Sequence, residues 1–393
     1  MSQATSSAPT GLHDLEWYRT MRDTDPVRQD PKTGIWNVYR YQDVANVLAD
    51  YRTFSSDFSA VFPDQASLTE GNIVAMDPPR HHQLRSLVSQ AFTPRAIADL
   101  EPRIEELTEE LLDETRGRTR IELVADLAYP LPVIVIAELL GVPAADRPSF
   151  KTWADDLLAQ NNVDPNDKAA MEEAAAKLRK FHDYLRDHVG QRRARPRHDL
   201  LSDLVAAEID GRRLSDQEIV GFATILLIAG HITTTILLGN AIRCLDEHPR
   251  VQDALRADPA AIPGAIEEVL RYTSPIAQTT RVTTREVEIA GRVIPARQIL
   301  HLWLLSANHD ERQFERPDDF AIDRQPNPHV GFGKGIHFCL GAPLARLESR
   351  IALGVLLRRF SRLRVDPKYP LEPFADPGFN GTKTLHLRVK PAL

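Results

Sequence analysis

An apolar stretch at residues 222–242 restricts the fold of this 393-residue chain more strongly than any other sequence feature. Just upstream, Ser215 and Glu218 have the S-x-x-E spacing of a capping box, which marks the start of a helix. A helix from Asp216 to Glu247 contains 32 residues and is about 48 Å long at 1.5 Å per residue. A helix so long and so apolar has to cross the middle of the molecule.

The same stretch has the length of a transmembrane helix. Polar side chains interrupt it, however, and such side chains are unfavourable in lipid. The interrupting residues are His231, Thr233, Thr234, Thr235 and Asn240. We therefore expect a buried core helix and no membrane association.

Hydrophobic periodicity in the rest of the chain predicts a mainly α-helical protein with small β-sheets. Further helices are expected around residues 104–111, 166–189 and 263–271, and from 342 to 357. Short strands are expected at 35–39, 287–294 and 384–389, with a hairpin turn at 290–292. Proline and aspartate are frequent between residues 310 and 328, which favours an ordered meander without regular structure.

Composition narrows the functional classes. The formal net charge of −7 argues against a nucleic-acid partner. Cys244 and Cys339 can form at most one disulfide, so a disulfide framework is excluded. Residues 1–11 contain neither the basic nor the apolar segment of a signal peptide. We expect these residues to be a short disordered lead, and residues 12–393 to form the single domain of a monomeric cytoplasmic protein.

Cys339 lies in a glycine-rich segment, residues 332–341, with the sequence FGKGIHFCLG. A helix-forming run follows, and a helix start next to Cys339 would favour negative charge on its sulfur. The glycines permit tight turns and close approach to a flat ligand. Nucleotide motifs are excluded, because Ile336 breaks the dinucleotide pattern and the Gly-Lys pair lacks the following Ser or Thr of a phosphate loop. A buried, inert cysteine is the remaining structural interpretation.

This segment resembles the haem-ligand loop of the cytochrome P450 family, because it matches the pattern F-G-x-G-x-H-x-C-x-G at every specified position. The resemblance implies the multi-helical cytochrome P450 fold, with the long core helix at the distal face of the haem. It also implies that Cys339 is the thiolate ligand of the iron in haem b (iron protoporphyrin IX), with Phe332 and His337 at the cofactor.

Within the core helix, residues 229–234 read AGHITT and resemble the A/G-G-x-D/E-T-T/S segment of that family. Ala229 and Gly230 lack bulk, so a porphyrin and dioxygen can lie against the backbone. Thr233 can bond back to the carbonyl group of residue 229, which would loosen the helix and make room for water. The resemblance implies that Thr233 and Thr234 are catalytic, with Thr233 supplying the hydroxyl for protonation and cleavage of dioxygen.

Ile232 occupies the position at which the family usually has an acid. An isoleucine cannot relay a proton, so the usual proton route is not available through this side chain. Water, the substrate or Thr234 could supply protons instead. Alternatively, the enzyme could tolerate slow or uncoupled turnover.

The E-x-x-R motif of the family is matched by Glu268 and Arg271. Residues three apart share one helix face and can form an ion pair. The resemblance implies that this pair is buried, joins a third charged residue in the meander and holds the Cys339 loop. Arg324 is the first candidate for the third residue and Arg316 the second.

A further match, D-P-P-x-H-x-x-x-R, ends at Arg85. His81 and Arg85 are four residues apart on one helix face and can reach the same ligand, and a guanidinium group suits a haem propionate. The resemblance assigns Arg281 and His337 to the propionates as well. A zinc site at His81 and His82 is disfavoured, because helical neighbours cannot converge on one ion.

The predicted function is that of a haem-thiolate monooxygenase that inserts one atom of dioxygen into an apolar small molecule. Such soluble relatives most commonly tailor natural products, here as a hydroxylase or an epoxidase. The alternatives are oxidative coupling or peroxide-driven chemistry, which Ile232 favours, and haem binding without turnover, which Thr233 argues against. The resemblance assigns these apolar residues to the substrate pocket: Phe58, Val61, Phe62, Ile276 and Phe379.

The sequence contains no flavin or nicotinamide motif, so we expect electrons to come from a ferredoxin and a ferredoxin reductase. The docking face is expected on the Cys339 side, where Arg80, Lys334 and Arg346 could complement an acidic carrier. The alternative for these three side chains is ordinary solvated surface.

Overall fold

The computed structural model describes residues 14–61, 71–160, 167–209 and 211–392. A π-helical turn, Val124–Ala128, precedes one of its helices. The helices are α1 (Leu15–Thr24), α2 (Tyr41–Ala49), α3 (Arg80–Ala91), α4 (Pro94–Ala98), α5 (Glu101–Asp113), α6 (Pro130–Leu139), α7 (Arg147–Gln160), α8 (Lys168–Ala194), α9 (Leu200–Ala206), α10 (Asp216–Glu247), α11 (Pro249–Ala257), α12 (Ile262–Tyr272), α13 (Leu304–Asn308) and α14 (Ala342–Arg359).

The strands are short, and the described ones form small sheets. They are β1 (Val27–Gln29), β2 (Trp36–Val38), β3 (Phe54–Ser55), β4 (Arg120–Glu122), β5 (Glu208–Ile209), β6 (Arg212–Arg213), β7 (Thr279–Thr283), β8 (Val287–Ile289), β9 (Arg292–Ile294), β10 (Ile299–Leu302), β11 (Phe360–Val365) and β12 (His386–Pro391). One sheet has the order β1-β2-β10-β7-β3 and another the order β11-β12-β4, while β5-β6 and β8-β9 form two-stranded pairs. In the five-stranded sheet β2 and β10 are parallel, and the remaining pairs are antiparallel. The predicted mainly α-helical class with small sheets is confirmed.

Helix α10 begins and ends at the predicted residues. The Ser215 side chain accepts the N–H of Glu218 at 3.1 Å, and the Glu218 carboxylate accepts the N–H of Ser215 at 3.0 Å, so both halves of the capping box are present. The helix packs against α6, α8, α12 and α14. Among the described residues it is the one helix long and apolar enough to cross a membrane, but 61% of its most apolar window is buried. It is the predicted core helix.

Other predicted elements are present with shifted ends. Helix α8 is one continuous helix, and the expected start at Asn166 lies outside the described residues. Strands β8 and β9 form the predicted hairpin, with Ala290 and Gly291 at positive φ in the turn. The C-terminal strand begins at His386, where its pairing with β4 begins, rather than at Thr384.

Three parts of the fold converge on the segment around Cys339. Helix α12 packs against α14, and α14 begins directly after that segment. Residues 310–328 run between them as the predicted meander, without helix or strand. The loop is therefore held between two helices and an irregular segment. Because the irregular segment lacks the regular backbone hydrogen bonds of a helix or sheet, side-chain contacts have to fix its conformation.

Candidate functional site

The segment around Cys339 forms a tight loop that leads into α14. The N–H of Cys339 donates to the carbonyl oxygen of Phe332 at 3.0 Å, which closes the loop. The N–H of Gly333 donates to the carbonyl oxygen of Val330 at 2.8 Å. Helix α14 then begins at Ala342. The thiol therefore lies at the N-terminal end of a long helix, as the sequence predicts.

Two glycines let this loop pack closely against neighbouring helices. Gly335 has a φ of +72°, and a Cβ there would lie 2.6 Å from the carbonyl oxygen of Leu48 in α2. A Cβ on Gly331 would lie 2.8 Å from the carbonyl oxygen of Leu270 in α12. The sequence predicts close approach to a flat ligand, whereas these two glycines permit close approach to protein backbone.

The environment of Cys339 opposes the ordinary effect of burial. Burial raises the pKa of the Cys339 thiol, and the backbone N–H groups of Gly341 and Ala342 act against that rise by bonding to the sulfur. The guanidinium groups of Arg85 and Arg346 also lower the pKa through space. A thiol placed in this way becomes a thiolate readily once a metal ion competes with its proton.

Cys244 has the opposite surroundings. It is buried in α10, and burial raises its pKa to about 12. Its sulfur lies 3.8 Å from Thr273 Oγ1, and no helix starts next to it. Cys244 is therefore a core side chain, and of the two cysteines only Cys339 has the surroundings of a metal ligand.

The E-x-x-R residues form a buried bidentate pair behind the loop. Arg271 Nε and Nη2 lie 2.9 and 2.8 Å from the two carboxylate oxygens of Glu268, and both side chains are fully buried. Arg324 joins the pair, with Nε 3.2 Å from each of the same oxygens. Arg324 is thus the third charged residue, as predicted. The second candidate, Arg316, instead pairs with the exposed Asp319.

This buried network ties the meander to α12. Arg271 also donates to the carbonyl oxygens of Asn308 and Pro317, at 2.9 and 2.8 Å. The Glu268 carboxylate accepts the N–H of Ala321 at 2.9 Å and the side-chain amide of Asn327 at 3.1 Å. Because most of the polar atoms of the pair are bonded, the network can hold irregular backbone in a single arrangement.

Two imidazole rings meet beside the loop. The ring centroids of His81 and His337 are 4.3 Å apart. Burial lowers the pKa of His81 to about 4, and neither of its ring nitrogens has a hydrogen-bond partner among the described residues. His337 Nε2 is buried in the same way, 4.0 Å from Asp77 Oδ1, which is too long for a hydrogen bond. His82 is exposed, and no described group of three His, Cys, Asp or Glu residues could hold a metal ion.

Two arginines lie in low-dielectric surroundings near these rings. Burial lowers the pKa of Arg85, and Cys339 acts against that effect. Arg281, on β7, is 7% exposed, and burial lowers its pKa to about 10. Its Nη1 donates to the carbonyl oxygen of Thr280 at 2.8 Å, and Asp77 acts on it through space. The sequence alone favours a solvated position for a basic residue in a strand, but Arg281 is buried.

These residues fit the haem that the sequence motifs imply. The ring nitrogens of His81 and Nε2 of His337 are buried without a hydrogen-bond partner among the described residues, and such atoms are unfavourable in that state. The buried Arg281 and the half-buried Arg85 add two positive charges. The two carboxylates of a haem supply acceptors for these groups, while Cys339 supplies the thiolate. The donor set therefore matches the cofactor in charge and in number.

One face of α10 is accessible in the middle of an otherwise buried helix. Ala229 is exposed and Thr233, one turn later, is half-buried. Thr233 Oγ1 donates to the carbonyl oxygen of Ala229 at 2.7 Å, and Thr234 Oγ1 to that of Gly230 at 2.9 Å. The predicted back-bond is present, but the segment remains α-helical and the predicted loosening is not seen.

Gly230 provides space for a neighbouring helix, whereas the sequence suggests that it provides space for a porphyrin. A Cβ at this position would lie 2.7 Å from Ile136 Cδ1, so Ile136 would have to shift. The missing side chain therefore lets α6 pack against α10. The prediction of space for a porphyrin applies to the exposed Ala229 instead.

The acid position of α10 is fully apolar. Ile232 is 4% exposed, in the core. The preceding His231 does not replace an acid, because two residues correspond to about 200° around a helix and place it opposite Thr233. Its ring packs edge-on against Tyr129 at 4.8 Å, and burial lowers its pKa to about 4.

The sequence did not reveal two acids near the loop. Glu267 binds Arg346 bidentately, at 2.6 and 2.8 Å, so Arg346 is not the open docking cation that the sequence suggests. Glu348 on α14 is buried, and burial raises its pKa to about 8. It lies four residues after Leu344 and three before Ile351, both buried, and this spacing could have revealed its burial. No local pattern marks the partner of Glu267.

The predicted pocket residues are partly brought together. Ile276 and Phe379, far apart in sequence, pair in an isolated β-bridge, and both are half-buried. Phe58 and Val61 are half-buried in another segment, and Phe62 lies outside the described residues. Of the proposed docking residues, Arg80 and Lys334 are exposed.

Known proteins match this architecture over nearly its whole length. The family model described as Cytochrome P450 matches residues 29–379. The chain is 46% identical to cyclomarin C epoxidase CymV of Salinispora arenicola, covering 95% of each chain. It is 49% identical to erythromycin C-12 hydroxylase of Saccharopolyspora erythraea, covering 90% of this chain and 88% of the relative. The structure of HmtT, involved in himastatin biosynthesis, matches with 52% identity and a TM-score of 0.89, over 95% of this chain and 96% of that one.

Proposed function

This chain belongs to the cytochrome P450 family and is a monooxygenase, and on that basis we propose that it hydroxylates or epoxidises an apolar natural product. The observation that carries the proposal is the Cys339 thiol at the start of α14, with two guanidinium groups and two backbone N–H groups acting on its sulfur. The epoxidase and hydroxylase named above support the type of reaction. The half-buried apolar residues Ile276 and Phe379, which pair in a β-bridge, support the apolar character of the substrate.

In this proposal the cofactor is haem b, and it supplies the iron at which dioxygen is activated. Cys339 would hold the iron through its sulfur, and Phe332, the first residue of the loop, would lie at the cofactor. His81, Arg85, Arg281 and His337 would bind the two carboxylates of the haem. The histidine ring nitrogens that lack a partner among the described residues and the charges of the two arginines support this assignment. A guanidinium group can donate two parallel hydrogen bonds to a carboxylate, which fixes its orientation.

Residues 229–234 of α10 would lie on the substrate side of the haem. Ala229 leaves room beside the helix axis, with Gly230 next to it. The Thr233 hydroxyl has a single proton, which it donates to the carbonyl oxygen of Ala229. To donate that proton toward the substrate side, the hydroxyl must first release the carbonyl oxygen, and Oγ1 can then accept a hydrogen bond from water. Thr234 Oγ1 is restrained in the same way by the carbonyl group of Gly230. Ile232 contributes no proton, so the protons reach these hydroxyls through water or the substrate.

The remaining parts of the proposal concern partners and organisation. Electrons come from a ferredoxin and a ferredoxin reductase, with Arg80 and Lys334 as exposed cations on the Cys339 side. The protein works in the cytoplasm as a monomer, and residues 12–393 unfold as one cooperative unit. A single unfolding transition that is the same by haem absorbance and by circular dichroism would support one unit, and two transitions would contradict it.

The test is turnover with a surrogate ferredoxin pair and NADPH across a library of apolar natural products. We expect a product with one added oxygen atom, and lower activity at high salt because salt screens docking. The protein with NADPH alone should form no product. Product formed without carriers would contradict separate electron donors. Failure with every substrate, despite full haem loading and complete reduction by the carriers, would contradict the proposed class of substrate.

Peroxide-driven oxidation is a second candidate, and the buried Ile232 is the observation that favours it. Peroxide carries both oxygen atoms and the protons, so no acid is required at position 232. Product formed with hydrogen peroxide at a rate equal to or above that with NADPH and carriers would favour this candidate. A rate far below it would favour the dioxygen reaction.

A further inference from the structure

A second ion pair lies next to the buried Glu268 network and has no counterpart in the sequence motifs. Glu267 on α12 is half-buried, and its carboxylate binds Arg346 at 2.6 and 2.8 Å and His329 Nε2 at 3.0 Å. Burial acts to raise the pKa of Glu267, but Arg346 and His329 lower it to about 2. The carboxylate is therefore ionised at all physiological pH values.

The two partners of Glu267, His329 and Arg346, contact the Cys339 loop at its opposite ends. His329 precedes the loop, and its Nδ1 accepts the N–H of Gly331 at 3.2 Å. This contact leaves the proton of a neutral ring on Nε2, from which it is donated to Glu267. Arg346 follows the loop, and its guanidinium carbon lies 4.6 Å from the centre of the Phe332 ring. One carboxylate thus connects the residues that flank the thiolate on both sides.

The pair also carries charge to the thiolate. Arg346 lies over the ring of Phe332, whose carbonyl oxygen accepts the N–H of Cys339 at 3.0 Å, so its positive charge is close to the sulfur and favours negative charge there. Glu267 holds Arg346 in place and offsets that positive charge. Without Glu267, the positive charge of Arg346 would be uncompensated. It would stabilise the negative charge on the sulfur more strongly and so weaken electron donation from the sulfur to a bound iron.

We propose that Glu267 is a positioning residue that sets the electron donation of Cys339 through the charge and placement of Arg346. The inference rests on Cys339 being the haem ligand. It makes Glu267 and Arg346 opposed charges on one ligand. Removing the charge of Glu267 and removing the charge of Arg346 should therefore shift the reduction potential of the haem iron in opposite directions.

The test measures the reduction potential of the haem-loaded protein. In Glu267→Gln we expect a positive shift of about 28 mV, equivalent to a threefold change in the ratio of reduced to oxidised iron at 59 mV per tenfold change. Arg346→Gln should shift the potential in the negative direction. The double variant should return close to the wild-type value, and Glu267→Asp, which keeps the charge, should stay near it.

Glu101→Gln is the matched control. It removes the carboxylate that pairs with Arg350 at 2.7 Å, one turn further along α14, and should leave the potential unchanged. Shifts of the same sign in Glu267→Gln and Arg346→Gln would indicate loosening of the loop and overturn the proposal. An equal shift in Glu101→Gln, or none in Glu267→Gln, would overturn it as well. The thiolate spectrum of the wild-type carbon monoxide complex tests the ligand itself, so failure of that premise is seen separately.

Discussion

The Cys339 loop and residues 229–234 of α10 supply the two sides of the candidate site, and they are held in different ways. The loop has irregular backbone, and charged side chains hold it from behind through Glu268 and Glu267. The α10 segment lies in a continuous helix, where the backbone bonds of the helix maintain its shape. Its two threonine side chains, Thr233 and Thr234, are small, neutral and bonded to the turn before them.

This difference predicts which substitutions the two regions tolerate. A helix keeps its form when one side chain changes, so Ile232 can occupy an acid position without disturbing Thr233. An irregular loop lacks these regular backbone bonds, and its conformation depends on side-chain partners that are far away in sequence. We therefore expect substitutions behind the loop to affect stability and cofactor binding, and substitutions in the helix to affect the chemistry alone.

The largest effect is expected at Cys339 itself. Cys339→Ser and Cys339→His should abolish the red-shifted Soret band of the reduced carbon monoxide complex, because no thiolate remains on the iron. Cys244→Ala should retain that band, since Cys244 is a core residue. Retention of the band in Cys339→Ala would show that another residue is the ligand.

The next effect is expected in the buried network. Glu268→Gln leaves Arg271 and Arg324 with uncompensated charge, and we expect it to lower the free energy of unfolding by about 3–5 kcal/mol. Urea denaturation measures this quantity. The control is Glu172→Gln, which breaks an exposed pair with Arg179 and should change stability by less than about 1 kcal/mol. Equal effects of the two substitutions would remove the contrast between buried and exposed pairs.

Haem retention should depend on the buried Arg281 and the half-buried Arg85. Arg281→Ala and Arg85→Ala should each weaken haem binding by about 1.5–3 kcal/mol, the contribution of a hydrogen bond to a charged group. Transfer of haem to apomyoglobin measures its retention. Arg292→Ala, on the exposed strand β9, serves as the control and should retain haem as the wild type does. Wild-type transfer rates in both test variants would rule out the propionate role.

Glu348, buried in α14, has no ion-pair partner among the described residues, and it should give the stability a pH dependence. The pKa of Glu348 rises from 4.5 to about 8 on folding, so between these values the folded state holds a proton that the unfolded state has lost. Stability should therefore fall as pH rises, by up to about 1.4 kcal/mol per pH unit relative to Glu348→Gln. Urea denaturation at pH 5, 6 and 7 measures the two slopes. Parallel slopes would show that Glu348 is not protonated in the folded protein.

The smallest free-energy effect is expected in α10. Thr233→Ala should divert reducing equivalents to hydrogen peroxide and lower the product formed per NADPH by up to about tenfold, or about 1.4 kcal/mol in the partition. Thr233→Ser keeps the hydroxyl and should retain coupling. Ile232→Asp should raise coupling, although burial raises the pKa of a carboxyl there and reduces the gain. Unchanged coupling in Thr233→Ala would point to the substrate or to peroxide as the proton source.

Features with local sequence signals could be predicted without the fold. Ser215 and Glu218 are three residues apart, and their reciprocal bonds mark the start of α10 correctly. The Cys339 loop was identified because its residues are contiguous, and its thiol lies before a helix as expected. The i, i+3 spacing of Glu268 and Arg271 likewise required no knowledge of the fold.

The partners that come from distant parts of the chain are known from the folded structure and not from local patterns. The fold placed Arg324 rather than Arg316 on Glu268, 56 residues away. It paired Glu267 with Arg346 across 79 residues, and so removed Arg346 from the predicted docking surface. The physical reason is that an ion pair depends on two side chains meeting in space and on their burial, and neither property is encoded in the spacing of residues along one helix.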